Sequence, residues 1–144
     1  MNIFDRLKKG VDTRCAAETV ALAEALAKAL PEDSVIALHG NLGCGKTTFV
    51  AGMARAWGID APVTSPSYNL FTIYRGQTRM LAHLDAYRLR SAEDMDALMI
   101  EEFLKNPWCI AVEWPEKVEQ WLPQNALHLH LEDKGKALRH IRLA

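Results

Sequence analysis

Val20, Ala23, Ala27 and Leu30 recur at alternating spacings of three and four, so residues 16–30 carry one apolar face along a helix. Pro31 and Asp33 break that pattern and lead into Val35-Ile36-Ala37-Leu38, an unbroken apolar run that reads as a buried strand. Residues 48–57 return to helix-forming composition. Gly58 suits a left-handed cap after Trp57, and Pro62 makes continuation unfavourable. A polar, proline-punctuated loop over residues 61–67 follows. Two β-rich runs, residues 68–74 and 78–84, surround Gly76-Gln77 and read as a hairpin. Ser91 with Asp94 resembles a capping box for a short acidic helix, and a further helical turn is expected at residues 100–105. Trp108-Cys109-Ile110-Ala111-Val112 is continuously apolar, as a central strand covered on both faces must be. Residues 126–131 and 138–143 flank Asp133-Lys134-Gly135 as a terminal hairpin. The pattern predicts an α/β fold: a helix-covered, mostly parallel sheet with antiparallel hairpin additions.

Between the first predicted strand and the second helix lies Gly40-Asn41-Leu42-Gly43-Cys44-Gly45-Lys46-Thr47, which fills every position of G-x-x-x-x-G-K-[ST]. In that strand–loop–helix context the backbone N–H groups of residues 41–48 converge on an anion at the positive end of a helix. Asn41, Leu42, Gly43, Cys44, Gly45, Lys46, Thr47 and Thr48 are therefore the expected contacts to a nucleoside triphosphate. Lys46 would reach the outer phosphates and the Thr47 hydroxyl would ligate Mg2+. The loop sharpens the fold expectation to a P-loop NTPase-like three-layer sandwich. Magnesium prefers six oxygen ligands, so a nearby carboxylate has to complete its shell. Glu113 ends the apolar strand Cys109-Ile110-Ala111-Val112 and is the first candidate; Asp85, ending Met80-Leu81-Ala82-His83-Leu84, is the second.

At 144 residues the chain is read as one domain, residues 1–144, able to bury a core without staples. A net charge of −1 argues against a broad nucleic-acid footprint. No run of about 20 apolar residues is present to span a membrane, and the N-terminus lacks the pattern of a secretion signal. Cys15, Cys44 and Cys109 are odd in number and widely spaced, giving neither a disulfide framework nor a metal quartet. These features point to the reducing cytoplasm, with no membrane and no disulfide partner.

The pieces are more specific together than apart. The phosphate loop, then Ser65-Pro66-Ser67-Tyr68, then His83-Leu84-Asp85-Ala86-Tyr87-Arg88-Leu89, then Glu113-Trp114, follow in that order. This resembles the TsaE (YjeE) family, the small bacterial ATPases of the tRNA threonylcarbamoyladenosine pathway, over nearly the whole chain. The resemblance implies slow Mg2+-dependent ATP hydrolysis, stimulated by the partners TsaD and TsaB. Those partners transfer threonylcarbamoyl to the adenosine beside the anticodon of tRNAs reading ANN codons. The family member is a nucleotide-driven switch on that pair, meeting tRNA only through the complex. It implies that Lys46 binds the β/γ-phosphates, Thr47 ligates Mg2+ and Glu113 is the Walker-B-type acid, while Asp85 holds Mg2+ or orients water. Thr64, Ser65 and Ser67 would belong to a switch loop, and Thr19 and Arg139 would approach the adenine. Tyr87, Arg88 and Trp114 are the candidate switch or partner contacts.

Cys44 stands where alanine is usual; an inert buried thiol is expected there, and a thiol acidified by phosphate and lysine is the alternative. His83 is read as lying on the face of its strand opposite Asp85, packed and hydrogen-bonded as readily as catalytic. His128 and His130 alternate with Leu127, Leu129 and Leu131, as the outward face of an edge strand would. Trp57, Trp108 and Trp121 read as packing, and Arg88 either serves the site or pairs with Asp85. The acidic residues Glu93, Asp94, Asp96, Glu101 and Glu102 read as a solvated helix face. The main rival function is a small-molecule kinase using Asp85 as general base, although little chain remains for a lid and an acceptor site. A GTP switch lacks its N-K-x-D segment. A binding module without useful hydrolysis stays open. Direct RNA binding would have to use Arg75, Arg79, Arg88 and Arg90 as a local cluster.

Overall fold

The computed structural model describes residues 1–66 and 70–144. Helix α1 (Ile3–Lys9) is capped by Asn2, whose Oδ1 accepts the Asp5 N–H at 2.9 Å, and buries Leu7. Strand β1 (Val11–Thr13), helix α2 (Ala16–Ala29), strand β2 (Ser34–His39) and helix α3 (Lys46–Ala56) follow. The next elements are strands β3 (Phe71–Arg75) and β4 (Met80–Asp85), helix α4 (Ala92–Ala97) and a 3₁₀ turn over Ile100–Phe103. Strand β5 (Trp108–Glu113), a 3₁₀ segment over Pro115–Trp121, and strands β6 (Leu127–Gly135) and β7 (Leu138–Leu143) complete the chain. Ser91 caps α4 by accepting the Asp94 N–H, as expected from the sequence, while Asp94 Oδ2 accepts the Arg90 N–H, one residue before the cap, in place of the Ser91 N–H of a full capping box. No helix among the described residues is long and apolar enough to cross a membrane.

All seven strands form one sheet in the order β1-β7-β6-β2-β5-β4-β3. The pairings β6–β2, β2–β5 and β5–β4 are parallel, whereas β1–β7, β7–β6 and β4–β3 are antiparallel. The sheet is therefore mixed rather than mostly parallel. A parallel neighbour requires a crossover of a dozen or more residues, whereas a hairpin adds a strand with a tight turn. Hairpins extend both flanks, and the parallel core is confined to the four strands around β2.

Alternation in those central strands sends residues to two separate apolar layers. Ile36, Leu38, Leu81, Cys109, Ala111 and Leu129 meet Leu22, Leu26, Phe49 and Met53 of α2 and α3. Val35, Ala82, Leu84, Ile110 and Val112 meet Met95, Ile100 and Val118 on the other face. This explains why β2 and β5 lack alternation: both of their faces are covered. Trp57 is core, donating Nε1–H to the Ala27 carbonyl at 3.3 Å, and Trp108 and Trp121 pack against the second layer. Arg79 donates to the Leu30 and Pro31 carbonyls at 3.1 and 2.8 Å and lies over the Trp57 ring. Its guanidinium thus closes the C-terminus of α2 and is taken out of the arginine cluster that direct RNA binding would have used.

Helices α2 and α3 touch at Gly52. A Cβ there would lie 2.7 Å from Ala23 Cβ and 2.8 Å from the Val20 carbonyl oxygen, both in the facing helix. Gly52→Ala is expected to destabilise the protein by about 1–3 kcal/mol, because overpacking outweighs the ~1 kcal/mol helix-propensity gain. Thermal unfolding checks this: a lowered Tm is expected, and an increase would mean that α2 yields without strain.

Candidate nucleotide site

The phosphate loop joins β2 to α3, whose first residue is Lys46 and whose N-cap, Gly45, has φ +100°. Gly40 is fixed by a close approach: a Cβ would sit 2.5 Å from Cys44 Sγ and 2.6 Å from the Leu131 carbonyl oxygen. Cys44 therefore points inward and is buried. Burial raises its thiol pKa and outweighs the opposing pull of Lys46. The inert buried thiol expected for Cys44 is what the structure shows, and the acidified alternative is set aside. Leu42, by contrast, stands exposed on the loop's outer surface.

Lys46 is 5% exposed, and its Nζ donates to the Gly40 carbonyl at 2.7 Å. The same ammonium is 4.0 Å from Glu113 Oε1 and 4.3 Å from the centroid of the Trp114 ring. Trp114 directly follows β5 with φ +57°, an unusual conformation for a bulky residue, and Tyr87 meets its ring edge-on at 5.2 Å. Asp85 and Glu113 are register partners at the C-terminal ends of β4 and β5. Asp85 Oδ1 accepts the Tyr87 N–H at 3.0 Å, and no ion pair joins Asp85 to Arg88 among the described residues. Two residues apart on one strand, His83 and Asp85 share a face rather than opposing each other. His83 is wholly buried, with Nε2 2.6 Å from Glu113 Oε2.

A cleft of about 290 Å³ brings together Leu42, Gly43, Gly45, Lys46, Thr47, Thr48, Ser65, Glu113 and Arg139. Around Gly45, Thr48 and Arg139 it adjoins a smaller cleft of about 160 Å³ that also takes in Cys15, Ala16, Thr19 and Ala137. Asp85, Tyr87, Arg88 and Trp114 line a third, about 470 Å³, which shares Leu42 with the first. Asn41 and Thr64 line none of these clefts: the Asn41 carbonyl accepts the Cys44 N–H, and the Thr64 N–H reaches the Tyr74 hydroxyl at 3.4 Å. Ser67 lies outside the described residues. The Thr19 hydroxyl is paired with that of Thr13 at 2.6 Å. Arg139 is held by Asp133 at 2.9 Å and reaches the Gly43 carbonyl at 3.4 Å, so the last hairpin braces the loop. That brace was not anticipated. Its sequence signal is an Asp and an Arg placed across a hairpin whose two turn residues, Lys136 and Ala137, both have positive φ.

Thr47, Glu113 and Asp85 offer hard oxygens of the kind magnesium prefers, and the loop runs into the N-terminus of α3, the end of a helix that attracts phosphate. Among the described residues no three His, Cys, Asp or Glu side chains could hold a metal ion together. A cation here would complete its shell with phosphate and water.

The family model described as "Threonylcarbamoyl adenosine biosynthesis protein TsaE" matches residues 13–141. The chain belongs to the TsaE family. A tRNA threonylcarbamoyladenosine biosynthesis protein TsaE of Treponema pallidum is 34% identical over 132 residues, covering 92% of this chain and 97% of that protein. The Bacillus subtilis TsaE is 33% identical over 86% of this chain and 77% of its own length. Among solved structures, Bacillus subtilis YdiB superposes with a TM-score of 0.76 at 30% identity, over 93% of this chain and 82% of that one. The resemblance drawn from the loop, the H-x-D-x-Y-R-L stretch and the Glu-Trp pair is thereby borne out at the level of the family.

On the other face of the sheet, this TsaE-family chain carries a histidine group that the edge-strand expectation misread. Strand β6 lies between β2 and β7, so His128 and His130 stand beside His39, the last residue of β2. His39 Nε2 is 2.9 Å from His128 Nδ1, and its ring stacks on His130 at 4.4 Å. Burial, then the positive charge of His130 and His128, lowers the His39 pKa from 6.5 to about 4. The folded state therefore binds fewer protons here than the unfolded chain, and stability falls as the pH drops from about 6.5 towards 4. Replacing His39 by Gln should flatten the Tm-against-pH curve across that window. An unchanged slope would contradict the half-buried, neutral imidazole.

Proposed function

We propose that the chain is the ATP-binding and ATP-hydrolysing subunit required for threonylcarbamoyladenosine modification of the adenosine beside the anticodon. It acts in the cytoplasm as a single P-loop domain. The carrying observation is the cleft in which Lys46, Thr47 and Glu113 face one another beneath a backbone cradle. The names of its relatives support the pathway.

Lys46 leaves the Gly40 carbonyl and binds the β/γ-phosphates. Thr47, Glu113 and Asp85 would hold Mg2+, which neutralises phosphate charge as the bond to the γ-phosphorus breaks. Asp85 also orients the attacking water. Ser65, with Thr64 and Ser67 in the same loop, senses the γ-phosphate. Thr19 and Arg139 bound the base side, a reading supported by their shared cleft with Cys15 and Ala137. Tyr87, Arg88 and Trp114 carry the nucleotide state to the partners, TsaD and TsaB. This subunit resets that pair, and tRNA is reached only through the complex.

Catalysis in such folds is positioning and charge stabilisation, and an arginine completing the site contributes about 10³–10⁵ in rate. The isolated chain should hydrolyse ATP far more slowly than about once per second and be stimulated by TsaD–TsaB. Lys46→Ala should abolish turnover. Glu113→Ala should keep nucleotide binding while losing about 10²–10³ in kcat. Phosphate release with and without the pair, alongside nucleotide titrations, measures this. Parent-like hydrolysis by Glu113→Ala, or indifference to the pair, would contradict it.

A further inference from the structure

Glu113 offers two carboxylate oxygens to two different neighbours. Oε2 is 2.6 Å from His83 Nε2, whereas Oε1 faces Lys46 Nζ at 4.0 Å, beyond hydrogen-bond contact. His83 is 0% exposed, and its Nδ1 is a buried polar atom with no hydrogen-bond partner among the described residues. Nothing in the proposed hydrolysis uses this ring.

A carboxylate oxygen accepts, so the contact places a proton on Nε2 that is donated to Oε2, while the buried Nδ1 has no group to receive one. The short Nε2–Oε2 distance fits a charge-assisted bond. The strand register produces this geometry: His83 pairs with Ala111 and Asp85 with Glu113, so His83 and Glu113 are diagonal neighbours on one face.

We infer that His83 is a positioning residue: its Nε2–H holds Glu113 Oε2 and thereby keeps the carboxylate off Lys46, leaving Oε1 aimed into the phosphate cleft. Without that donor the carboxylate turns to the nearest cation, Lys46, and the two groups that should meet phosphate and metal neutralise each other instead. The inference rests on the nucleotide site proposed above, but its tests separate from that reading.

His83→Leu removes the donor at similar volume, and His83→Gln restores an N–H near the position of Nε2. Crystal structures of both variants should show Glu113 closed onto Lys46 at about 2.8 Å in the Leu protein and parent-like in the Gln protein. In the parent, long-range ¹⁵N–¹H spectra should report the Nε2–H tautomer for His83. In turnover, His83→Leu should lose about 10–100-fold in kcat together with weaker ATP binding, because Glu113 then competes with phosphate for Lys46, and His83→Gln should recover most of both losses. An unmoved Glu113 in a folded His83→Leu protein, an Nδ1–H tautomer, or a folded Gln variant as impaired as Leu would overturn the assignment. A parent protein without ATPase activity would contradict the function reading, while the crystallographic and tautomer results would still judge His83.

Discussion

A lysine and a glutamate, both almost fully buried, are held 4.0 Å apart at the meeting point of β2, β5 and α3. Removing two charges from water is expensive and is tolerated only where each finds further partners. Lys46 finds the Gly40 carbonyl and the Trp114 ring, and Glu113 finds His83. The surrounding structure serves this arrangement. Parallel pairing of β2, β5 and β4 brings Leu38, Glu113 and Asp85 level at one edge of the sheet. The tight Gly40–Cys44 contact turns the loop back so that α3 begins at the lysine itself. The opening in this part of the sheet lies beyond the carboxyl ends of its parallel strands, where ligands bind in open α/β folds.

The two flanking hairpins complete the site from opposite sides. Strand β4 of the first hairpin presents Asp85 and leads into Tyr87, which meets Trp114 at the end of β5, while β6 and β7 present Arg139, tied to Asp133 and to the loop carbonyl of Gly43. A purely parallel sheet would have needed additional crossover helices to supply both walls. Antiparallel additions do so within 144 residues. The mixed topology is thus part of how the chain walls the cleft of about 290 Å³ beside the loop.

What was legible in the sequence was local. The loop, both hairpins, the α4 cap and the two main helices are each written in a few adjacent residues, and the acids at positions 85 and 113 could be placed because their strands end there. What escaped depends on register between distant strands. The His83–Glu113 contact joins residues 30 apart, and only the pairing of β4 with β5 makes them neighbours. His128 looked like an edge residue because alternation reports that one face is apolar, not which strand lies alongside. Strand β1 is three residues long and exists through its pairing with β7, so no periodicity marked it.

Everything in the proposed function turns on this cleft receiving a metal–nucleotide pair through Lys46, Thr47 and Glu113. Its most direct test is a crystal structure with a non-hydrolysable ATP analogue and Mn2+, using manganese anomalous scattering to find the ion. A manganese peak is expected beside Thr47 and Glu113, with Lys46 Nζ moved from the Gly40 carbonyl onto phosphate. An analogue bound with Lys46 still on Gly40 and no manganese near Glu113 would contradict it.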